Sequence, residues 1–184
     1  MKRSTTFIAN VALMFGFSVA TLYAEPTPLN LSFSGTEQST TLNVQAGAGS
    51  SEWNIAGNGT LGPFTYRGVE ATNVPPSACP GVAHPYAGGG VFRFEDGSLL
   101  MVNLTEGSDC LQFTSTGPEA QCTRTYQITG GTGRFKNASG TIALAETVLA
   151  VVFNSSSKPI VFANFGNMTG TLSRPASDSP DGRQ

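Results

Sequence analysis

The chain has 184 residues, among them 22 Gly and 12 Phe, and only 12% of its side chains are charged, with a formal net charge of −2 at pH 7. It lacks the basic excess that attracts nucleic acids and anionic membranes, so neither is predicted as a partner. Beyond the N-terminus no stretch shows a sustained helical period of apolar residues, and an all-β protein is therefore predicted.

The N-terminus is predicted to be a secretory signal peptide covering residues 1–20. Lys2 and Arg3 precede an apolar run at residues 7–19, and Ser18-Val19-Ala20 fits a small-x-small cleavage site. Cleavage after Ala24 is a second option. The run is shorter than the about 20 apolar residues that span a membrane. We therefore expect a secreted protein, extracellular or periplasmic, with no membrane insertion after cleavage and with 8 basic and 12 acidic side chains.

Short stretches in which apolar and polar residues alternate follow the signal, and each is predicted to be a half-buried strand. Residues 73–90 hold four prolines and three consecutive glycines, which predicts a long loop. A turn is predicted at residues 106–109 and a disordered tail at residues 175–184. The predicted strands are residues 29–34, 40–44, 53–56, 64–71, 91–94, 99–105, 110–114, 124–128, 140–153, 160–168 and 169–172.

The order of these strands predicts the fold. Consecutive strands with local turns and no crossover helix indicate an up-and-down antiparallel meander of about eight strands, and closing it into a barrel leaves no exposed edge. A single all-β domain, an antiparallel β-barrel, is therefore predicted for residues 25–174. A two-sheet β-sandwich is the alternative, although the Cys…Trp…Cys pattern of immunoglobulin domains is missing.

Three cysteines would remain after signal cleavage: Cys79, Cys110 and Cys122. Export permits a disulfide. Cys110 and Cys122 flank a polar segment at residues 114–120, so a bond across the base of a hairpin is the simplest pairing, with Cys79 left over; the sequence does not fix the connectivity. The lone His84 has no ligand-spaced partner and no Cys-x-x-Cys occurs, so neither a metal site nor a cofactor is predicted.

Residues 128–140 read ITGGTGRFKNASG, a glycine-rich bend between two strands. This run, with Phe94-Glu95-Asp96-Gly97-Ser98-Leu99 upstream, resembles the GGTG-x-F-x-x-A-x-G segment of the allene oxide cyclase and dirigent barrel superfamily. The resemblance covers residues 91–153 and suggests a secreted microbial member. It implies an eight-stranded barrel with an interior cavity, commonly a homo-oligomer. Ser139 and Thr141 replace the arginine and tyrosine of the dirigent motif, which argues against phenoxy-radical guidance.

Glu146 is the candidate catalytic acid. It shares the alternation of Ile142, Leu144 and Val148, which predicts that it faces the barrel interior. Apolar surroundings raise the pKa of a carboxyl group and suit it to acid–base chemistry. The alternative is a β-bulge that turns Glu146 outward.

Arg93, Arg124 and Tyr126 are the other candidates for the ligand cavity. The two arginines lie in aromatic or β-branched strands, where they could pair with Glu146 or Glu95 or bind an anionic ligand. The alternative is the polar outer face of each strand. Tyr126 shares a phase with Ile128, so its ring is predicted in the core with the hydroxyl at a polar rim.

Two functions are consistent with these features. The first is a secreted barrel that binds a small apolar ligand or a partner. The alternative is a cofactor-free cyclase or isomerase that acts on an apolar substrate in the cavity. No Gly-x-Ser-x-Gly motif and no phosphate-binding loop is present, which argues against a hydrolase and against nucleotide binding.

Overall fold

The computed structural model of the protein describes residues 25–40, 49–72, 85–115 and 117–174. The predicted signal peptide, the predicted strand at 40–44 apart from its first residue, the tail at 175–184, Cys79 and His84 lie outside them. The described residues contain no helix of the length and hydropathy needed to span a membrane.

The strands form one closed antiparallel barrel, in which each strand pairs with the next and the last strand pairs with the first. The predicted all-β barrel is confirmed, and the sandwich alternative is wrong. Closure satisfies the backbone groups that a free edge would expose. The strands are β1 (Thr27–Ser39), β2 (Gly49–Gly59), β3 (Phe64–Thr72), β4 (Pro85–Phe94), β5 (Leu99–Thr114), β6 (Gly117–Gly131), β7 (Ser139–Phe153) and β8 (Pro159–Ser173).

Part of the predicted loop at residues 73–90 is a strand. β4 begins at Pro85, and Gly88 and Gly90 pair with β3. A Cβ atom at Gly90 would lie 2.5 Å from the ring of Tyr66. The glycine therefore gives the tyrosine ring room to pack, and it does not mark a turn.

The turn predicted at residues 106–109 is also wrong, because β5 runs through it. The register with β6 shifts between Leu104 and Glu106, which leaves one extra residue in β5. Before this bulge the even-numbered residues Leu100, Val102 and Leu104 are buried, and beyond it Asp109 is buried instead. A single extra residue has therefore exchanged the two faces of the strand.

The glycine-rich segment closes one end of the barrel. Gly133–Phe135 is a 3₁₀ turn between β6 and β7, and Phe135 is fully buried with its ring 4.8 Å from that of Phe94. Gly133 has φ +56°, and an added Cβ would also collide with the Ser98 hydroxyl. The predicted bend at residues 130–133 is confirmed, and the main apolar core packs behind it.

The opposite end of the barrel has a smaller apolar cluster. Ala120, Cys122 and Val148 are buried there, and Leu111 and Phe162 pack against them. This cluster does not fill the barrel. The strands that form it surround the cavity described next.

Candidate functional site

A cavity of about 530 Å³ occupies the end of the barrel opposite the glycine-rich turn. Its wall is mainly apolar, with a few serine and threonine side chains, whereas its deepest lining residues, Asp109, Cys122 and Arg124, are buried. The cavity therefore has a mainly apolar wall and a floor with charged side chains. The apolar wall includes Leu111, Phe113, Val148, Ala150, Phe153 and Phe162.

Arg124, on β6, is the centre of the floor. Its Nε atom lies 2.8 Å from Oε2 of Glu70, and its Nη1 atom forms a second ion pair with Asp109. Nη1 also donates to the carbonyl oxygens of Thr123 at 2.9 Å and Ser108 at 3.4 Å. Burial by itself would lower the pKa of Arg124, but the charges of Glu70 and Asp109 raise it well above its usual value. The guanidinium stays charged, and its charge is already balanced inside the protein.

Aromatic side chains hold this network from the core side. The Tyr126 hydroxyl donates to Oε1 of Glu70, so one carboxylate accepts from both Tyr126 and Arg124. The Trp53 ring centroid lies 5.6 Å from Cζ of Arg124. Burial, followed by the charge of Glu70, raises the pKa of Tyr126 well above its usual value, so its hydroxyl remains a donor.

Glu37 lies near the end of β1 and lines the cavity. Burial raises its pKa to about 7. A hydrogen bond with Ser51 and the charge of Arg124 lower the pKa, while Glu70 and Asp109 raise it. Glu37 therefore exchanges its proton near neutral pH, and it does so at a surface that a ligand can reach.

Glu146, on β7, is 5% exposed, and both of its carboxyl oxygens are buried without a hydrogen-bond partner. Burial raises its pKa well above the usual range, although Arg124 lowers it. Asn164, on β8, is 1% exposed, and its amide nitrogen and oxygen also have no partner. Polar groups in protein interiors are nearly always hydrogen-bonded. Glu146 and Asn164 are exceptional because both polar atoms of each side chain lack a partner, whereas Trp53 and Tyr66 each have one such atom.

Of the four predicted cavity residues, Arg124 lines the cavity, whereas Tyr126 and Glu146 are buried in the barrel and are not among the lining residues. Arg124, Tyr126 and Glu146 all face the interior, and the bulge expected to turn Glu146 outward does not occur, since the register of β7 shifts only beyond Ala150. Arg93 is exposed on β4, so its prediction as a cavity residue is wrong. Arg124 pairs with Glu70 and Asp109, and not with Glu146, which is one of the partners that the sequence leaves open.

The predicted Cys110–Cys122 disulfide is wrong, because Cys122 carries a free, buried thiol. The β5 bulge is the reason. Asp109 stands opposite Cys122 in the register, and Cys110 stands opposite the exposed Gln121 on the other face. Cys110 does not carry a free thiol, and burial raises the pKa of the Cys122 thiol, which makes it unreactive.

Four polar residues of the site were not predicted from the sequence. Glu37 continues the alternation of Leu31 and Phe33, and Glu70 continues that of Phe64 and Tyr66, so period-two reading could have found both. Asn164 lies in the same period-two alternation as the buried Met168 and Leu172 of β8. No such signal exists for Asp109, because its orientation depends on the bulge.

Comparisons with known proteins find little similarity to this chain. No protein-family model matches the chain, and no curated protein matches it. One solved structure that it resembles is that of a pterocarpan synthase dirigent protein, with 11% sequence identity and a TM-score of 0.43 over 86% of this chain and 96% of that chain. At these values the likeness says nothing about what this chain binds.

The geometry limits what the site can do. The cavity offers apolar contact area, and its floor offers carboxyl groups that can donate or accept hydrogen bonds. In the described part of the chain no group of three His, Cys, Asp or Glu side chains could hold a metal ion. The arrangement is therefore suited to enclosing an apolar molecule and fixing one polar group at the floor.

Proposed function

We propose that this protein binds a small, largely apolar molecule in the open end of its barrel. The observation that carries the proposal is the cavity of about 530 Å³, whose wall is mainly apolar with a few hydroxyl side chains and whose charged side chains lie at its floor. Small-molecule sites typically have about 300–1,000 Å³ and combine apolar walls with a few placed polar groups. The protein is thus proposed as a binding protein for one ligand molecule per barrel.

The floor supports this proposal because it is organised before a ligand enters. Arg124 is fixed by two ion pairs and by two backbone carbonyls, and Glu70 by two donors. Side chains that are already ordered lose little entropy on binding, which favours affinity.

Binding of a fluorescent probe tests the proposal. N-phenyl-1-naphthylamine, an uncharged aryl amine of very low basicity, brightens in apolar sites, and we expect saturable binding to the wild type. Ala150 lines the cavity and Ala145 is exposed on the same strand. Ala150→Trp should weaken binding at least tenfold because the indole fills the cavity, and Ala145→Trp should not. Absence of saturable binding, or equal loss in both variants, would refute the proposal.

A second candidate is a cofactor-free cyclase or isomerase that acts on an apolar substrate in the same cavity. Glu37 favours it, because a carboxyl group with a pKa of about 7 at the cavity surface suits general acid–base catalysis. Ligands that co-purify with the wild type and with Glu37→Gln should then be isomers, equal in mass but different in chromatographic retention. Identical ligands from both proteins would argue against catalysis by Glu37 and would support the binding function only.

We also propose that the protein is exported and that barrels associate into a homo-oligomer. Export rests on the N-terminal sequence pattern, and association rests on the family resemblance. N-terminal sequencing of secreted protein should begin after Ala20, or after Ala24. Light scattering on the purified protein should give a mass that is a multiple of the barrel's.

A further inference from the structure

We propose that the ligand is an apolar amine, whose ammonium group binds at the cavity floor between Glu37 and Glu146. This inference rests on the proposed binding function and specifies its ligand class. It follows from the charges that face the interior and from the polar groups that have no partner there.

The charged groups that face the barrel interior favour a cationic ligand. Among the described residues, one guanidinium, that of Arg124, faces the interior together with four carboxyl groups. Glu70 and Asp109 already pair with Arg124. No positive charge is left to bind an anionic ligand, and two carboxyl groups are left to bind a cation. The interior side chains on β2 and β8, Trp53 and Asn164, are uncharged.

The unpartnered groups are the second and independent observation. Glu146 is 5% exposed and Asn164 is 1% exposed, and all four of their polar side-chain atoms are buried without a hydrogen-bond partner. An ammonium group carries three N–H donors and no acceptor. Two carboxyl groups and the Asn164 carbonyl oxygen supply the acceptors that such a group requires.

Their place in the barrel connects these groups to the cavity. Glu146 stands directly opposite Cys122 in the β6–β7 register, and Cys122 lines the cavity floor. Asn164 stands opposite Val148, another lining residue. Neither side chain lines the empty cavity itself, but each is paired with a residue that does, so a small shift of Glu146 would bring its carboxyl group to the floor.

Amine binding should release a proton from a carboxyl group of the site to solvent. Unliganded, Glu146 holds its proton because burial raises its pKa, and Glu37 holds its own in part at neutral pH. When R–NH₃⁺ enters, a carboxyl O–H bond breaks, the carboxylate pairs with the ammonium group, and the proton passes to solvent. Amine affinity should therefore rise with pH between about 5 and 8.

Three probes of equal chain length test the ligand class: decylamine, decan-1-ol and decanoate, each titrated calorimetrically into the wild type. We expect decylamine to bind at least tenfold more tightly than decan-1-ol, and decanoate to bind most weakly. The decylamine titration should release protons, seen as a heat that depends on the ionisation enthalpy of the buffer, and the decan-1-ol titration should not.

Variants then test the residues. Glu146→Gln and Glu37→Gln should each reduce the preference for decylamine over decan-1-ol at least fivefold. Glu106 is exposed on β5, so Glu106→Gln is the matched control and should keep the preference. The emission of Trp53, the only tryptophan in the chain, shows whether the interior of each variant is intact.

The outcomes separate this inference from the proposed function. Decan-1-ol that binds as tightly as decylamine, or decanoate that binds best, would overturn the inference and leave the binding function standing. Failure of all three probes and of the fluorescent probe would overturn both. A decylamine preference that Glu37→Gln and Glu146→Gln leave intact would also overturn the proposed site.

Discussion

Replacing Arg124 by methionine should reveal how strongly the floor of the cavity depends on one guanidinium. The substitution preserves length and apolar volume but leaves the buried carboxylates of Glu70 and Asp109 without their counter-ion. Removing one member of a buried ion pair typically costs about 3–5 kcal/mol. A domain of this size has a total stability of about 5–15 kcal/mol, so the loss is a large part of it.

The hydrogen bonds that remain decide how much of this loss falls on each carboxylate. Glu70 keeps the Tyr126 hydroxyl as a hydrogen-bond donor, which limits its share of the loss. Asp109 loses the donor that Nη1 of Arg124 supplies. Among the described residues no second cationic side chain faces the interior to replace the guanidinium.

Urea denaturation at pH 7, followed by circular dichroism, measures this deficit. Arg93→Met is the matched control, because Arg93 is exposed and its replacement should change stability by less than about 0.5 kcal/mol. Adding Glu70→Gln to Arg124→Met should recover part of the loss. A deficit below about 1 kcal/mol, or no recovery in the double variant, would show that Arg124 does not balance the charges of Glu70 and Asp109.

Three further predictions concern other parts of the barrel. Glu146→Gln should gain stability over the wild type as pH rises from 4.5, by up to about 1.4 kcal/mol per pH unit, because burial raises the pKa of the wild-type carboxyl; parallel pH profiles in denaturant melts would contradict this. Non-reducing peptide mapping should find Cys79 linked to Cys110, and Cys122 should react with thiol reagents only after unfolding. Recovery of a peptide containing Cys122 in a disulfide would overturn that pairing. Gly133→Ala should lower stability by about 1–2 kcal/mol because of its positive φ, and an unchanged melting curve would count against the turn geometry.

The sequence by itself determined the fold class and part of the interior. Alternation with a period of two is a local property, because successive side chains on a strand point to opposite faces. This alternation therefore predicts that Glu146 and Tyr126 face the barrel interior. The same alternation also indicates an inward-facing side chain at Glu37 and at Glu70. The glycine-rich segment at residues 130–133 likewise marks a bend, because the backbone requirement of Gly133 is local.

Only the tertiary structure decided which inward groups meet. The bulge between Leu104 and Glu106 exchanges the faces of β5, so it brings Asp109 to Arg124 and carries Cys110 away from Cys122. Glu70 and Arg124 are 54 residues apart in sequence and meet because the barrel closes. Register, bulges and closure depend on pairing between distant segments, and a local pattern carries no information about them. For that reason the sequence identified acids and arginines, and the fold determined which of them are paired and which remain available to a ligand.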